Sequence, residues 1–264
     1  MVAVVVFEFS GMRCQPLRRA LNFNGAIVKE KVVSYLKQNL ADLERDTTSG
    51  GYPHLPKFQL TPRDFVAFAE KDLEAESMGS YQLVNATSNL KRAVDCQLDM
   101  LLSFLGLDEL YRQKRLGVDR KLGFFKAAGV FNARSLEKLN KFRNRLEHHY
   151  EIPDVQDVDA YFDVVSAFVT IGENLVSNLM STYEVQLYGA PSIGLNSKID
   201  FEKPSIEICL GDDVLEVNLD KSAKPKVEDI QLFAFLLRAH IMLIHLFNGA
   251  VTPEALISDL EKEI

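Results

Sequence analysis

Arg143, Asn144 and His148 are residue types from which a metal-independent RNA-cutting site can be built. They lie in the stretch Lys141-Phe-Arg-Asn-Arg-Leu-Glu-His-His-Tyr150. RNA is cleaved without metal when its own 2′-OH attacks the adjacent phosphorus, which needs a base that titrates near neutrality. Histidine, with an ordinary pKa of about 6.5, suits that task. The step also needs fixed positive charge where negative charge grows on the phosphoryl oxygens, and the planar fork of Arg143 matches a phosphate. Asn144 is placed to orient the histidine or the phosphate by hydrogen bonding. Lys141, Arg145 and His149 flank them in sequence and are candidates for further RNA contacts. His149 is the second candidate for the catalytic histidine; adjacent helical residues point about 100° apart, so the two do not serve one site together.

The charge distribution favours the same region. The chain carries a net charge of −7, yet Tyr111 to Tyr150 holds eleven Lys/Arg against three acids, a local +8 that leaves −15 for the remainder. Glu151 to Ser197 contains seven acids and no Lys or Arg. A basic block in an acidic protein is a candidate phosphate-facing surface. The alternative is a solvated helix face balanced by the acidic stretch, with Arg143 and Glu147 as an i,i+4 ion pair.

The rest of the chain sets what positions these residues. With 264 residues, 47% hydrophobic, there is apolar material for a sizeable core. Cys14, Cys96 and Cys209 are odd in number and far apart, which fits a reducing cytoplasm and argues against a disulfide framework. MVAVVVFEF lacks a basic n-region and reads as a buried strand rather than a signal peptide. AFLLRAHIMLIHLFNGA is interrupted by Arg238, His240 and His245 and falls short of a membrane span. Phosphate-binding loops, dinucleotide fingerprints, nucleophile elbows and paired-cysteine zinc sites are absent. His240 and His245, on a very apolar helix, read as packed histidines. Asp95 and Asp99 are i,i+4 acids on an earlier helix. No cofactor or metal is implied.

Helical spacing predicts a helix over 26–45, a loop over DTTSGGYPHLPK, and a helix from Thr61-Pro62-Arg63-Asp64 to about 76. An amphipathic helix over 81–105, shorter ones at 108–116 and 119–128, another from 133 to no later than 152, and a long one over 155–181 follow. SIEICL and VLEVNL flank Gly211-Asp212-Asp213 as a β-hairpin, with the first strand as its expected neighbour. Helices at 228–247 and 253–263 close the chain. The expected organisation is an N-terminal extension over 1–60, a helical bundle over 61–182, and a hairpin with two helices over 183–264. The expected fold class is mostly α, a helical bundle with a small β-hairpin or sheet addition and a C-terminal helix pair.

Set in that bundle, Arg143-Asn144-Arg145-Leu146-Glu147-His148 resembles the signature of the HEPN superfamily, an Arg, a polar residue, three variable residues and a His. With Tyr150 it also resembles the longer R-x-x-x-x-H-x-Y form of toxin members, and NLKRAVDCQLDMLLSFLG is similar to the family's early helix. The resemblance covers about 85–182. It implies an endoribonuclease acting on RNA as a homodimer, with two motifs facing one cleft and a role in toxin–antitoxin or antiviral defence. It also implies that a nucleotidyltransferase-type antitoxin modifies Tyr150 with AMP. The dimer has a geometric argument too. Residues five apart on a helix differ by about 140° and roughly 7.5 Å, so a joint site needs the helix to distort near its end, the long Arg143 to reach back, or a second protomer to supply groups, and the resemblance favours the last. The alternative function is a non-catalytic module of the same kind that binds RNA, nucleotide or a partner protein.

Overall fold

The computed structural model describes residues 25–51, 55–75, 79–113, 117–131, 152, 154–189, 193–220 and 225–262. Its elements in order are α1 (Gly25–Asn39), a short 3-10 turn (Leu40–Asp42), β1 (Glu44–Ser49), α2 (Pro62–Leu73), α3 (Ser80–Phe104), α4 (Asp108–Gln113) and α5 (Val118–Ala127). Then come α6 (Val155–Ser181), β2 (Glu184–Tyr188), β3 (Gly194–Asp200), β4 (Ser205–Leu210), β5 (Asp213–Asn218), α7 (Val227–Phe247) and α8 (Pro253–Glu261).

This architecture mixes helices with a substantial sheet, which corrects the expectation of a mostly α bundle with a small β-hairpin addition. The five strands form one antiparallel sheet in the order β1-β2-β3-β4-β5. The anticipated hairpin is β4–β5, with Ile208 opposite Leu215. Three strands join it that periodicity did not show. β1 runs through residues predicted as helix end and loop, because ERDTTS is exposed along almost its whole length and so carries no apolar alternation. Its charged residues and an irregular register between Arg45 and Thr48 suit an edge strand, where charge and bulges discourage pairing with another chain. The expected first strand and the expected helix beginning at 133 lie outside the described residues.

Gly50 explains why a small residue follows β1. A Cβ there would sit 2.9 Å from the Ser181 carbonyl oxygen, and Gly51 donates its N–H to Met180 O at 2.8 Å. The end of β1 is thereby seated on the last turn of α6.

Apart from α1, which ends at Asn39 rather than near 45, the described helices form close to where their apolar stripes and caps predict. Thr61 caps α2 reciprocally: its Oγ1 accepts from Asp64 N at 3.3 Å, and its own N–H donates to Asp64 Oδ2 at 2.7 Å. Leu83, Leu90, Val94, Leu98, Leu101 and Leu102 of α3 are all buried, as the spacing requires. Gln97 of α3 faces Gly172 of α6, and one turn on Met100 shares a groove with Val176 and Ser177, so α3 and α6 run parallel. α2 runs opposite to both. Its start lies beside Cys96 and Glu173, and Asp72 near its end meets Asn89.

The helix α7 is the centrepiece. It is the one helix among the described residues long and apolar enough to cross a membrane, and from Phe233 to Ile241 every residue is buried inside the fold. The inner face of the sheet packs on it with Val185, Leu187, Leu195, Ile199, Ile206, Ile208, Leu215 and Val217. One buried apolar cluster extends from Val28 to Leu260.

Candidate functional site

Lys141, Arg143, Asn144, Arg145, His148, His149 and Tyr150 lie outside the described residues, so the structure neither brings them together nor separates them. What it describes is the frame from which that stretch departs and to which it returns.

The departure point is the C-terminus of α5. Gly129 N donates to Lys126 O and Val130 N to Phe125 O, both at 3.0 Å, the paired bonds of a Schellman cap. Gly129 takes φ +68°, and a Cβ there would lie 2.9 Å from Arg238 Cγ. Both facts call for glycine. Phe131 then packs edge-on against Phe168 of α6, ring centroids 4.6 Å apart, and against Phe125.

Arg238 is what Gly129 makes room for. Its side chain is almost wholly buried. Its Nε donates to Asp259 Oδ1 at 2.6 Å, and a second guanidinium nitrogen donates to Asp259 O at 2.7 Å. Partial burial works to raise the Asp259 carboxyl, but the Arg238 hydrogen bond and charge, helped by Lys262, outweigh it and hold the pKa below its ordinary value. The residue that interrupts the apolar run is thus a buried pin joining the exit of α5, α7 and α8.

The return point is the N-terminus of α6. Asp154 Oδ1 accepts from Gln156 N at 2.9 Å, capping a helix whose outer face then presents Asp157, Asp159 and Asp163. Phe168 lies fourteen residues beyond Asp154, about 20 Å by helical rise. The ends of the candidate stretch are therefore held at two separate levels of one helix.

The other sequence candidates resolve into structural roles. His240 is fully buried: Ser197 Oγ–H donates to its Nδ1 at 2.8 Å, and its Nε2–H donates to Thr182 O at 3.2 Å. Burial pushes its pKa down to about 4, partly offset by the Thr182 carbonyl, so it is neutral at physiological pH. Asp99 pairs with Lys121 on the surface. The Cys96 thiol is pushed up to about 11 by burial, with Asp99, Asp64 and Asp95 adding to the rise, which makes it unreactive. No group of three or more His, Cys, Asp or Glu among the described residues is placed to hold a metal ion.

His240 carries a pH prediction. Its folded pKa lies below the unfolded value of 6.5, so its contribution to stability is complete above pH 6.5 and is lost as pH falls towards 4. The loss is about 3 kcal/mol at the acid end. Urea unfolding at pH 7 and pH 4.5 should show the wild type losing more stability on acidification than His240→Gln; equal losses would contradict the buried neutral assignment.

A second polar feature was not anticipated. Between α2 and α3 lies a groove of about 470 Å³, with Phe68, Lys71 and Asp72 on one wall and Asn85, Ser88, Asn89 and Arg92 on the other. The spacing of the α3 residues, i, i+3, i+4 and i+7, is a polar stripe legible in sequence once the opposite face is assigned to the core. Family models, curated proteins and solved structures were each compared with the chain, and none matches it.

Proposed function

We propose that the chain is a metal-independent endoribonuclease carrying a HEPN-type motif. His148 acts as the base or acid, Arg143 as the phosphate clamp and Asn144 as the orienting group. The observation that carries this reading is the Arg-Asn-x-x-x-His spacing inside a +8 block of an otherwise acidic chain. Cleavage of RNA by the pure chain in EDTA is the test. RNA that is bound and never cut supports the non-catalytic alternative, and cutting that needs added Mg²⁺ contradicts the reading.

The active form is a homodimer in which two motifs share a cleft, as the family resemblance implies; that arrangement brings groups five residues apart into one site without a distorted helix or a reach back by Arg143. Mixing wild-type chains with a threefold excess of His148→Ala chains should lower activity below simple dilution. A fully active monomer in sedimentation would overturn the shared site.

Tyr150 is the control point, and the biological setting is a toxin or defence effector. AMP added to Tyr150 by a partner nucleotidyltransferase brings negative phosphate that competes with RNA for Arg143. Tyr150→Phe should keep cleavage and escape that partner's protection in cells. Equal protection of both forms would sink this control role.

A further inference from the structure

We infer that the groove between α2 and α3 is a binding site for single-stranded RNA, separate from the cleavage motif; this rests on the ribonuclease reading for its substrate. The groove joins the chemistry that an RNA strand needs. Lys71 and Arg92 are exposed cations, one on each wall, and among the described residues neither has an ion-pair partner. Asn85 and Ser88 are half-buried, and their side chains make no hydrogen bond among the described residues. Asn89 Nδ2 donates to Asp72 Oδ2 at 3.2 Å, which fixes the carboxylate across the groove and leaves it lone pairs to spare.

Phe68 supplies the apolar surface. It is 38% exposed, and its orientation is set by an edge-to-face contact with Phe65, ring centroids 6.3 Å apart at 89°. An exposed ring beside two free cations and a row of amides suits a nucleotide: the base stacks on Phe68, Arg92 and Lys71 take phosphates, and the amides meet base edges. Asp72 is a hydrogen-bond acceptor for a ribose 2′-OH, a group that RNA has and DNA lacks. An acidic peptide would meet the cations but brings no base to stack on Phe68 and no ribose 2′-OH for Asp72.

The placement relative to Asp154, where the described chain resumes, is also favourable. The start of α2 and the Gln97 level of α3 lie toward the sheet, since Phe104 at the end of α3 packs on Phe201 between β3 and β4. The groove occupies the opposite half of α3, and α6, parallel to α3, begins at that same far end with Asp154. A strand held in the groove therefore lies at the end of the molecule where the chain returns from the motif.

The test uses the full chain with His148→Ala as a cleavage-silent background and a fluorescent 20-nucleotide single-stranded RNA, read by anisotropy. Lys71→Ala/Arg92→Ala should weaken binding at least tenfold and reduce the slope of log affinity against log salt by about 1.4, the value for two lost phosphate contacts. Phe68→Ala should weaken it about fivefold or more. Lys71→Arg/Arg92→Lys should restore most of the affinity, and Lys198→Ala/Lys203→Ala, on the sheet side, should change it less than twofold. RNA affinity unchanged by the groove substitutions, or an acidic peptide bound more tightly than RNA, overturns the proposal. Cleavage by the chain with His148 intact is scored separately: RNA bound through the groove but never cut refutes the nuclease reading alone, and RNA cut while the groove variants bind normally refutes the groove alone.

Discussion

His148→Ala is expected to lower RNA cleavage by about 10²–10⁴-fold, the usual contribution of a positioned acid or base. Arg143→Ala is expected to cost about 10²–10³-fold, comparable to removing one group that stabilises developing negative charge. Both losses should appear with far-UV circular dichroism unchanged, since a substitution that acts on chemistry leaves the helices intact. The two effects should not add, because the base and the clamp serve one transition state and either loss already disables it. His149→Ala is the built-in control. A loss that follows His149 and spares His148 would move the base by one residue, and a full rate in His148→Ala would remove histidine chemistry from the account.

Asp259→Ala is expected to cost about 3 kcal/mol of stability, because it strands Arg238 inside the fold without its carboxylate. The pair sits directly beneath Gly129, where α5 ends and the chain sets out towards the motif. Gly129→Ala should be destabilising by about 1–2 kcal/mol from the left-handed backbone alone, with the contact to Arg238 adding to that. Replacing both partners, as Arg238→Met/Asp259→Leu, should recover much of the loss, since no uncompensated charge is then buried. Urea unfolding measures all three. A double variant as unstable as Asp259→Ala would show that the pin matters for its shape rather than for its charge balance.

These residues also show how far the sequence could be read. The long helices were legible because their stripes are nearly pure: Leu90, Leu98 and Leu101 of α3 are completely buried, and Thr61-Pro62 caps α2 where the spacing puts it. The sheet was legible only at β4–β5, where the apolar alternation is uninterrupted. In β3 the inward positions are Leu195, Ser197 and Ile199, and the central one is polar because it donates to the buried His240. That single hydrogen bond breaks the period-2 pattern for any reading that counts only apolar residues. β1 has no inward apolar face at all, so nothing local distinguishes it from a loop. The role of Arg238 was hidden for a similar reason: along the sequence it interrupts an apolar run, and only its partner, twenty-one residues farther on, lets it lie in the core. The groove between α2 and α3 was present as Asn85, Ser88, Asn89 and Arg92, but a polar helix face reads as solvated surface until the facing helix and Phe68 are in place. The motif residues were singled out by their chemistry together with a family resemblance and lie outside the described residues, and the frame at either end of that stretch, Gly129, Phe131 and Asp154, could be recognised only in three dimensions.

The central claim is that the attacking nucleophile is the RNA's own 2′-OH and that no metal takes part. One measurement addresses both: an RNA oligonucleotide with a mapped cleavage position is incubated with the pure chain in EDTA, beside a copy carrying a single 2′-deoxy nucleotide at that position. The account predicts that the first is cut to a 2′,3′-cyclic phosphate end and that the second is left intact there. Cutting of the deoxy copy at the same linkage, or no cutting in EDTA with cutting restored by Mg²⁺, would contradict it.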